Sequence, residues 1–546
     1  MSGYGSAMSL LRRIAAPAAF TDPLAATRRR PAPSTQLALA AGVLATLAMP
    51  PLRGTGWFVV PALALLFGAL QRAPSPARVG WWFGVAHQGT LLHWLFLLGP
   101  DATISSRWLI PAAAIAAILY AATYYLLFGW SAGLVRRRLG PTGLLLLAPP
   151  LWTAMEALRT VGELGFPWCL SGAAWLQTPL YPLAATAGEL GLGAATALTA
   201  AALAALVPAV RAAGRPVRPT GAALALPVAA AAAWLALGVG AGGVPTAGRA
   251  PALRVAAVQA DVSLHDKWFD ATAKSTTEPY TELTAAAARE GADLVVWAET
   301  AVPAYLLQDK RLLAWVRAVA DTNDVFLYTG YPDAALGADN RQERTNASGL
   351  FDPDGRLIDR YAKHHLLPFG ERMPFQRWLP QLGKLDLGQA EWTPGRSPQP
   401  MTVAPDSLRA LRIAGLICYE SIFPSLARQA ARDGAQALVN ITNDGWFGKT
   451  AGPVQHAEMA RLRAAETGLP VVRCANNGVS FITDGHGAVR ARAGLGGRAV
   501  VAADVAPGDA STPFVRHGHV PLAFALAVWT IVVLAASLRA RRREPA

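Results

Sequence analysis

The stretch Leu411-Arg412-Ile413-Ala414-Gly415-Leu416-Ile417-Cys418-Tyr419-Glu420 decides the fold. Its first seven residues, almost all apolar, read as a strand buried on both faces, and they run directly into a thiol, a phenol and a carboxylate. Layered α/β folds place their chemistry in this way, with polar side chains at the C-terminal ends of buried strands. Working outward, Arg254–Ala260, Leu294–Trp297, Val325–Tyr331 and Ala437–Thr442 read as further buried strands. Helical patterns fill Ala271–Arg289, Lys310–Ala320, Pro424–Asp433 and Pro453–Thr467, and Pro470–Arg473, Val479–Thr483 and Arg498–Asp504 add later strands. The alternation predicts a layered α/β domain over residues 241–516 with a substantial core.

The rest of the chain obeys different rules. Of 546 residues, 53% are hydrophobic and only 15% charged, which argues against a wholly soluble protein. Apolar stretches at Ser34–Leu52, Gly54–Gln71, Trp81–Leu98, Trp108–Leu134, Thr142–Leu158, Gly188–Val207, Thr220–Gly240 and His519–Leu538 approach the roughly 20 residues that a helix needs to cross a bilayer. They predict a polytopic α-helical membrane domain of about eight transmembrane helices: seven within residues 34–240, and one in residues 517–546 followed by a basic tail. The first two are short and rich in Ala, Gly and Pro, so a buried hairpin is the competing reading for them. Residues 1–33 read as a disordered cytoplasmic lead-in. Three arginines precede an apolar run there, but no small-residue cleavage site follows Met49, so the segment is not read as a secretory signal.

The net charge of +14 does not point to nucleic acid. Residues 241–516 hold 29 basic and 29 acidic side chains, so the whole excess lies in the apolar part of the chain. There it alternates. Arg12, Arg13, Arg28 to Arg30, Arg72, Arg78, Arg136 to Arg138, Arg211, Arg215, Arg218, Arg539 and Arg541 to Arg543 fall on one set of connections, and only Arg53, Arg107 and Arg159 on the other. Short loops rich in Lys and Arg stay cytoplasmic, so both termini are expected inside and the α/β domain outside. The aromatic residues Phe166, Trp168, Trp175 and Tyr181 of one outer loop suit a headgroup layer and are expected to help form a path for lipid.

Three cysteines, Cys169, Cys418 and Cys474, are too few for a disulfide framework. Cys418 stands apart because Glu299 follows another buried strand, and Lys363 sits in the constrained loop Tyr361-Ala362-Lys363-His364-His365-Leu366-Leu367-Pro368-Phe369-Gly370-Glu371. Singly these residues also read as a core thiol, a helix N-terminal charge and a solvated lysine. Together they supply a covalent acyl-transfer site. A carboxylate to take the proton and a cation to favour the thiolate activate the cysteine, and the ammonium, with backbone N–H groups, stabilises the oxyanion that forms on attack.

These motifs in this order, with Thr442-Asn443-Asp444-Gly445-Trp446-Phe447-Gly448, resemble the nitrilase superfamily and its Glu-Lys-Cys triad. With the flanking membrane helices the chain resembles the apolipoprotein N-acyltransferase family from about residue 34 to 543; Gly165-Phe166-Pro167-Trp168, Pro453-Val454-Gln455-His456 and Asn476-Asn477-Gly478 match as well. The resemblance implies an extracytoplasmic αββα sandwich with Glu299 as general base, Lys363 as oxyanion lysine and Cys418 as nucleophile. It gives Glu371, Tyr419 and Glu420 supporting catalytic roles and makes Trp268, Asn346, Trp446 and Phe447 substrate-binding residues. Packing or interfacial anchoring is the other reading of Trp268 and Trp446. Ala298 stands where the family more often has proline, Leu367 where it has valine, and Cys474 where it has serine or threonine; none of these touches the triad.

The implied reaction takes an acyl chain from a membrane phospholipid onto Cys418 and passes it to the α-amine of a diacylglyceryl-cysteine at the N-terminus of an apolipoprotein. The expected partners are therefore a phospholipid donor, a diacylglyceryl apolipoprotein acceptor and the lipid bilayer, with no nucleic acid and a monomeric chain. A membrane-tethered amidase using water as acceptor, and a catalytically silent membrane scaffold, are the alternatives. No histidine array with metal-ligand spacing and no phosphate-binding glycine loop stands out, so neither a metal nor a cofactor is expected.

Overall fold

A computed structural model describes residues 33–99, 107–206, 253–263, 267, 274–337, 340, 342–384, 390–406 and 409–543. The N-terminal lead-in, the apolar stretch Thr220–Gly240 and Trp268 lie outside the described residues.

The first half is helical. α1 (Pro33–Leu47), α2 (Val59–Arg72), α3 (Pro76–Leu91), α4 (Leu109–Leu158) and α5 (Ala184–Leu206) pack through small residues. A Cβ on Gly80 would lie 2.1 Å from the Tyr125 carbonyl oxygen, so α3 and α4 approach as closely as they do because that side chain is absent. At 50 residues α4 is about 75 Å long if straight, more than twice a hydrocarbon core. It breaks at Gly140 (φ +73°), which precedes Pro141 and follows Arg136 to Arg138, at the connection expected between two apolar stretches.

Among the described residues, Leu109–Leu158, Tyr181–Leu206 and Val520–Leu538 are long and apolar enough to cross a membrane. α1 and α2 are shorter apolar helices. The last helix, α10 (Val520–Arg543), exposes Val520, Phe524, Ile531 and Leu538 along its length, an arrangement suited to lipid rather than water.

The second half is a sandwich of two six-stranded sheets. The first contains β1 (Leu253–Gln259), β2 (Leu294–Trp297), β3 (Phe326–Leu336), β4 (Gln342–Phe351) and β5 (Leu357–Ala362), with β12 (Ala499–Val505) beside β1. The second runs from β6 (Met401–Val403) through β7 (Leu411–Ile417), β8 (Ala437–Thr442), β9 (Val471–Ala475) and β10 (Ser480–Thr483) to β11 (Val489–Ala493). The central strands are parallel, β1 to β2 to β3 in one sheet and β7 to β8 to β9 in the other, and the edges are antiparallel.

Alternation along each strand assigns the faces. Val255, Ala257, Leu294, Val296, Ile413, Ile417, Val439 and Ile441 fill the space between the sheets. On the outer face of the first sheet Ala256, Val258, Val295 and Trp297 pack under α6 (Lys274–Arg289) and α7 (Lys310–Asn323). On the other side Ala414, Leu416 and Leu438 pack under α8 (Pro424–Arg432) and α9 (Ala451–Thr467). That second layer is continuous with the membrane helices, because its core also includes Trp94, Trp168 and Trp175.

This continuity revises the expectation for the outer-loop aromatics. Trp168, Trp175 and Tyr181 are 2%, 0% and 6% exposed, so they form the joint between the helical region and the sandwich. Phe166 is half-buried against Trp168 and Tyr419. Gln455 of α9 completes the joint: its Oε1 accepts from the indole N–H of Trp94 at 3.0 Å and of Trp168 at 2.8 Å, while its Nε2 donates to the Pro50 carbonyl at 3.2 Å. Arg463 of the same helix bonds Glu189 of α5 at 2.9 Å.

Candidate active site

Three strand ends of the two sheets converge. β2 ends at Trp297, one residue before Ala298-Glu299; β5 ends at Ala362 and delivers Lys363; β7 ends at Ile417 and delivers Cys418. β5 runs in the same direction as β2 and β3, since β4 is antiparallel to both of its neighbours, so Glu299 and Lys363 emerge from the same end of the first sheet.

Lys363 is 1% exposed. Its Nζ lies 2.9 Å from Glu371 Oε1 and 3.8 Å from Glu299 Oε1. Asn346, on β4, joins the two carboxylates, donating from Nδ2 to Glu299 Oε1 at 2.8 Å and to Glu371 Oε1 at 3.1 Å. Glu299 also accepts from the Asn443 N–H at 2.9 Å, and Glu371 from the Leu367 N–H at 2.7 Å. A Cβ on Gly330 of β3 would lie 2.8 to 2.9 Å from Thr300 N, Ala298 O and Glu299 Cα, so the turn that carries Glu299 fits only over a glycine.

Burial disfavours charge on Lys363, but the two carboxylates outweigh it and hold the lysine protonated, with its pKa raised. Burial pushes the Glu299 carboxyl up, with Lys363 opposing and Glu371 adding to the rise. Cys418 is half-buried; desolvation and the nearby Glu299 raise its thiol pKa while Lys363 lowers it. The resting cysteine is accordingly a thiol. Burial outweighs the field of Lys363.

Cys418 has φ +51°, the left-handed region, at the start of a single helical turn Cys418–Ile422. Glu420 ties this turn to the lysine loop. Its Oε1 accepts from the Tyr361 hydroxyl (2.7 Å), the His364 N–H (2.8 Å) and the His365 N–H (2.9 Å), and its Oε2 from the Ile417 N–H (2.7 Å). Tyr419 points toward the helical region and donates to the Gly165 carbonyl at 2.7 Å. The structure thus brings together Glu299, Lys363, Cys418, Glu371, Asn346, Tyr419 and Glu420.

Phe447 and Trp446 stand to one side. Phe447 packs edge-on against Trp94 at 4.9 Å, and Trp446 is 40% exposed. Beside them a cleft of about 480 Å³ opens between Phe96, Leu97, Ile110 and the Gly448 backbone, with Arg107 and Lys449 in its lining. All three cysteines are free, and no group of three or more potential metal ligands occurs among the described residues.

Sequence reasoning missed two parts of the site. Lys267 is wholly buried; its Nζ donates to the Glu299 carbonyl oxygen at 3.4 Å, and burial pushes its pKa down to about 7. Asp444, His456 and Arg473 form a buried cluster behind Cys418. Two of the three lie in motifs already quoted, Thr442–Gly448 and Pro453–His456, but nothing in the spacing shows that they meet.

Residues 254–512 match the carbon-nitrogen hydrolase family, and residues 41–202 match the apolipoprotein N-acyltransferase N-terminal domain. An apolipoprotein N-acyltransferase of Azotobacter vinelandii is 35% identical over 519 residues, covering 94% of this chain and 96% of that protein. Those of Pseudomonas aeruginosa and Geobacter metallireducens are 32% and 31% identical, covering 90% and 93% of this chain and 93% and 95% of theirs. Among solved structures, a point mutant of an amidase from Nesterenkonia sp. AN1, with an acetamide moiety on its active-site cysteine, aligns with 51% of this chain and 98% of its own at 19% identity and a TM-score of 0.38. Matched along nearly its whole length by such relatives, the protein belongs to the apolipoprotein N-acyltransferase family of membrane enzymes in the nitrilase superfamily.

Proposed function

We propose that the protein moves an acyl chain from a membrane phospholipid to the α-amine of an N-terminal diacylglyceryl-cysteine through a thioester on Cys418. The observation that carries this reading is the convergence of Cys418, in its left-handed turn, with Lys363 and Glu299, whose charged atoms are 3.8 Å apart. In the first half-reaction the Cys418 S–H proton passes to Glu299 as the sulfur attacks the ester carbonyl. The oxyanion is stabilised by the Lys363 ammonium. Collapse breaks the ester C–O bond, and the leaving lysophospholipid oxygen takes the proton back from Glu299. In the second, the lipoprotein amine attacks the thioester, Glu299 accepts an amine proton, the C–S bond breaks, and the sulfur recovers the proton. Glu371 holds Lys363, Glu420 and Tyr419 hold the nucleophile's turn, and Asn346 aligns Glu299.

The membrane-spanning helices confine this site to the surface where both lipid substrates reside, raising their effective concentration. The alternation of arginines supports eight spans, cytoplasmic termini and an extracytoplasmic sandwich, with a monomer sufficient for catalysis. Trp268, Trp446 and Phe447 serve the acyl chains. The cleft lined by Phe96 and Leu97 suits an apolar chain, and its Arg107 and Lys449 suit a lipid phosphate.

The test is the intact mass of the full-length protein incubated with phospholipid, beside Cys418→Ala. The reading requires an acyl-sized adduct on the wild type alone, discharged by a diacylglyceryl lipopeptide with the chain recovered as amide. Discharge only to free fatty acid makes the protein a hydrolase, and no adduct on folded protein removes the enzymatic reading.

A further inference from the structure

Cys418 is not a glycine, yet it holds φ +51°, and such a backbone persists only where its surroundings fix it. The fixing contacts fall on its carbonyl oxygen. That oxygen accepts from Ser421 Oγ at 3.0 Å and from Asn440 Nδ2 at 3.5 Å, and it lies 3.1 Å from His456 Nε2. A carbonyl oxygen only accepts and a guanidinium only donates, so a ring whose Nδ1 accepts from Arg473 carries its proton on Nε2 and donates it to Cys418.

The imidazole cannot turn away. It is 1% exposed, stacked on Trp168 at 5.7 Å and edge-on to Phe447 at 6.1 Å. Its other nitrogen, Nδ1, is 3.0 Å from Asp444 Oδ1 and 3.1 Å from an Arg473 guanidinium nitrogen. Arg473 in turn bonds Asp444 Oδ2 at 2.8 Å and the Asn440 side-chain oxygen. Burial, then Arg473, lowers the His456 pKa, so the ring at neutral pH is an uncharged donor. The preceding residue, Gln455, is the one bonded to Trp94 and Trp168, so the helix that carries His456 is fixed from both sides.

We infer that His456 is a positioning residue for the acyl-transfer reaction: its Nε2–H, with Nδ1 accepting from Arg473, anchors the Cys418 carbonyl and holds the nucleophile's turn in the conformation that attacks. The inference rests on Cys418 as the nucleophile; the histidine touches no reacting atom and acts through the backbone.

Two substitutions separate this role from plain packing. In His456→Gln the side-chain amide nitrogen falls near the place of Nε2 and keeps the bond to Cys418. In His456→Asn the amide reaches only the place of Nδ1, keeps the contact with Asp444 and loses Cys418. Full-length wild type and both variants are alkylated with iodoacetamide, the modified cysteine being located by peptide mass, and are separately given phospholipid for single-turnover acylation; Tm is measured for each.

The expected result is that Gln stays within about threefold of wild type in both rates, while Asn is slower by about tenfold or more with an unchanged KM for phospholipid and a Tm close to that of Gln. Equal rates for the Gln and Asn variants overturn the inference. If neither folds, Ser421→Ala removes the other hydroxyl donor to the same carbonyl: several-fold slower alkylation supports an anchored carbonyl, and an unchanged rate overturns it. Alkylation needs no lipid, so a wild type that alkylates at Cys418 but takes no acyl chain refutes the acyltransferase reading while the variants still decide the role of His456.

Discussion

The closest charged partner of Lys363 is Glu371, at 2.9 Å, and not Glu299, at 3.8 Å. Two carboxylates therefore share one buried ammonium, and the Asn346 amide joins the same two oxygens. Glu299 is raised chiefly by burial, with the negative field of Glu371 adding to the rise and Lys363 opposing it. Glu371→Gln removes that added field, so the folded-state pKa of Glu299 falls. A base must be deprotonated to act, so the acid limb of the pH profile for single-turnover acylation should move to lower pH. The plateau rate should drop about tenfold because Lys363 loses its nearest anchor. An acid limb that stays in place or moves upward contradicts this account of the pair.

Glu420 satisfies four donors, Tyr361, His364 and His365 at the end of β5 and Ile417 at the end of β7, strands of different sheets. Glu420→Gln is isosteric, but its amide NH₂ must face at least one of those donors. The variant should lose about 2–4 kcal/mol of stability and alkylate at Cys418 more slowly, since the turn and the lysine loop are no longer tied. Thermal unfolding and the alkylation rate check both. A variant with lowered Tm and unchanged alkylation would make Glu420 a stability residue alone.

How much of this was legible follows from the kind of contact involved. β2, β7 and β8 were legible to the residue, because each is a short, mainly apolar run with polar residues just beyond its end. β4 and β5 were not. Gln342-Glu343-Arg344 leads β4 with exposed polar side chains, and β5 exposes Ile358, Asp359 and Arg360 in succession, so neither shows an apolar period. Yet β4 carries Asn346 and β5 delivers Lys363. Nor was the Asp444, His456 and Arg473 cluster legible as a unit: its target is a backbone carbonyl, which any residue has, and only the folding of α9 over β7 brings it there. The aromatics of the outer loop were misplaced because indole suits both a headgroup layer and a buried joint with a hydrogen-bond acceptor, and Gln455 supplies the acceptor.

The Asp444 carboxyl is held down to about 2: burial opposes its charge, but the Arg473 guanidinium outweighs it, with a hydrogen bond from Thr442 adding to the effect. Its folded pKa lies below the ordinary value of 3.8, so its contribution to stability is complete above about pH 4 and is lost as pH falls through about 2, an amount on the order of 2 kcal/mol. Asp444→Asn should be less stable than wild type at pH 7 by about 3 kcal/mol, since Arg473 is left buried without its partner. That gap should narrow between pH 4 and pH 2 in thermal unfolding of the detergent-solubilised chain. A gap that widens toward acid reverses the assigned sign.

Lys449 lines the cleft beside Phe447 and is in none of the contacts that hold Cys418. If that cleft receives the donor's phosphate, Lys449→Ala should raise KM for an anionic phospholipid about three- to tenfold and leave kcat unchanged, with the effect shrinking at high salt. Alkylation of Cys418 by iodoacetamide should be unaffected. A drop in kcat at constant KM would remove the cleft from donor binding.

Gln455 offers the sharpest test of how the helical region and the sandwich share one core. Its side chain meets two indole N–H groups and the Pro50 carbonyl, all inside the joint. Gln455→Leu keeps the volume and removes both the acceptor and the donor, leaving two buried indole donors unpaired. Each orphaned indole costs about 1–3 kcal/mol, so the variant should lose roughly 2–6 kcal/mol in all. Gln455→Glu keeps an acceptor for both indoles and loses only the donation to Pro50, so it should recover part of that loss at a pH where the carboxylate is charged. Because the same helix places His456 against Cys418, the leucine variant should also slow acylation, and a Tm loss with the acylation rate intact would show that the joint stabilises the protein without positioning its nucleophile.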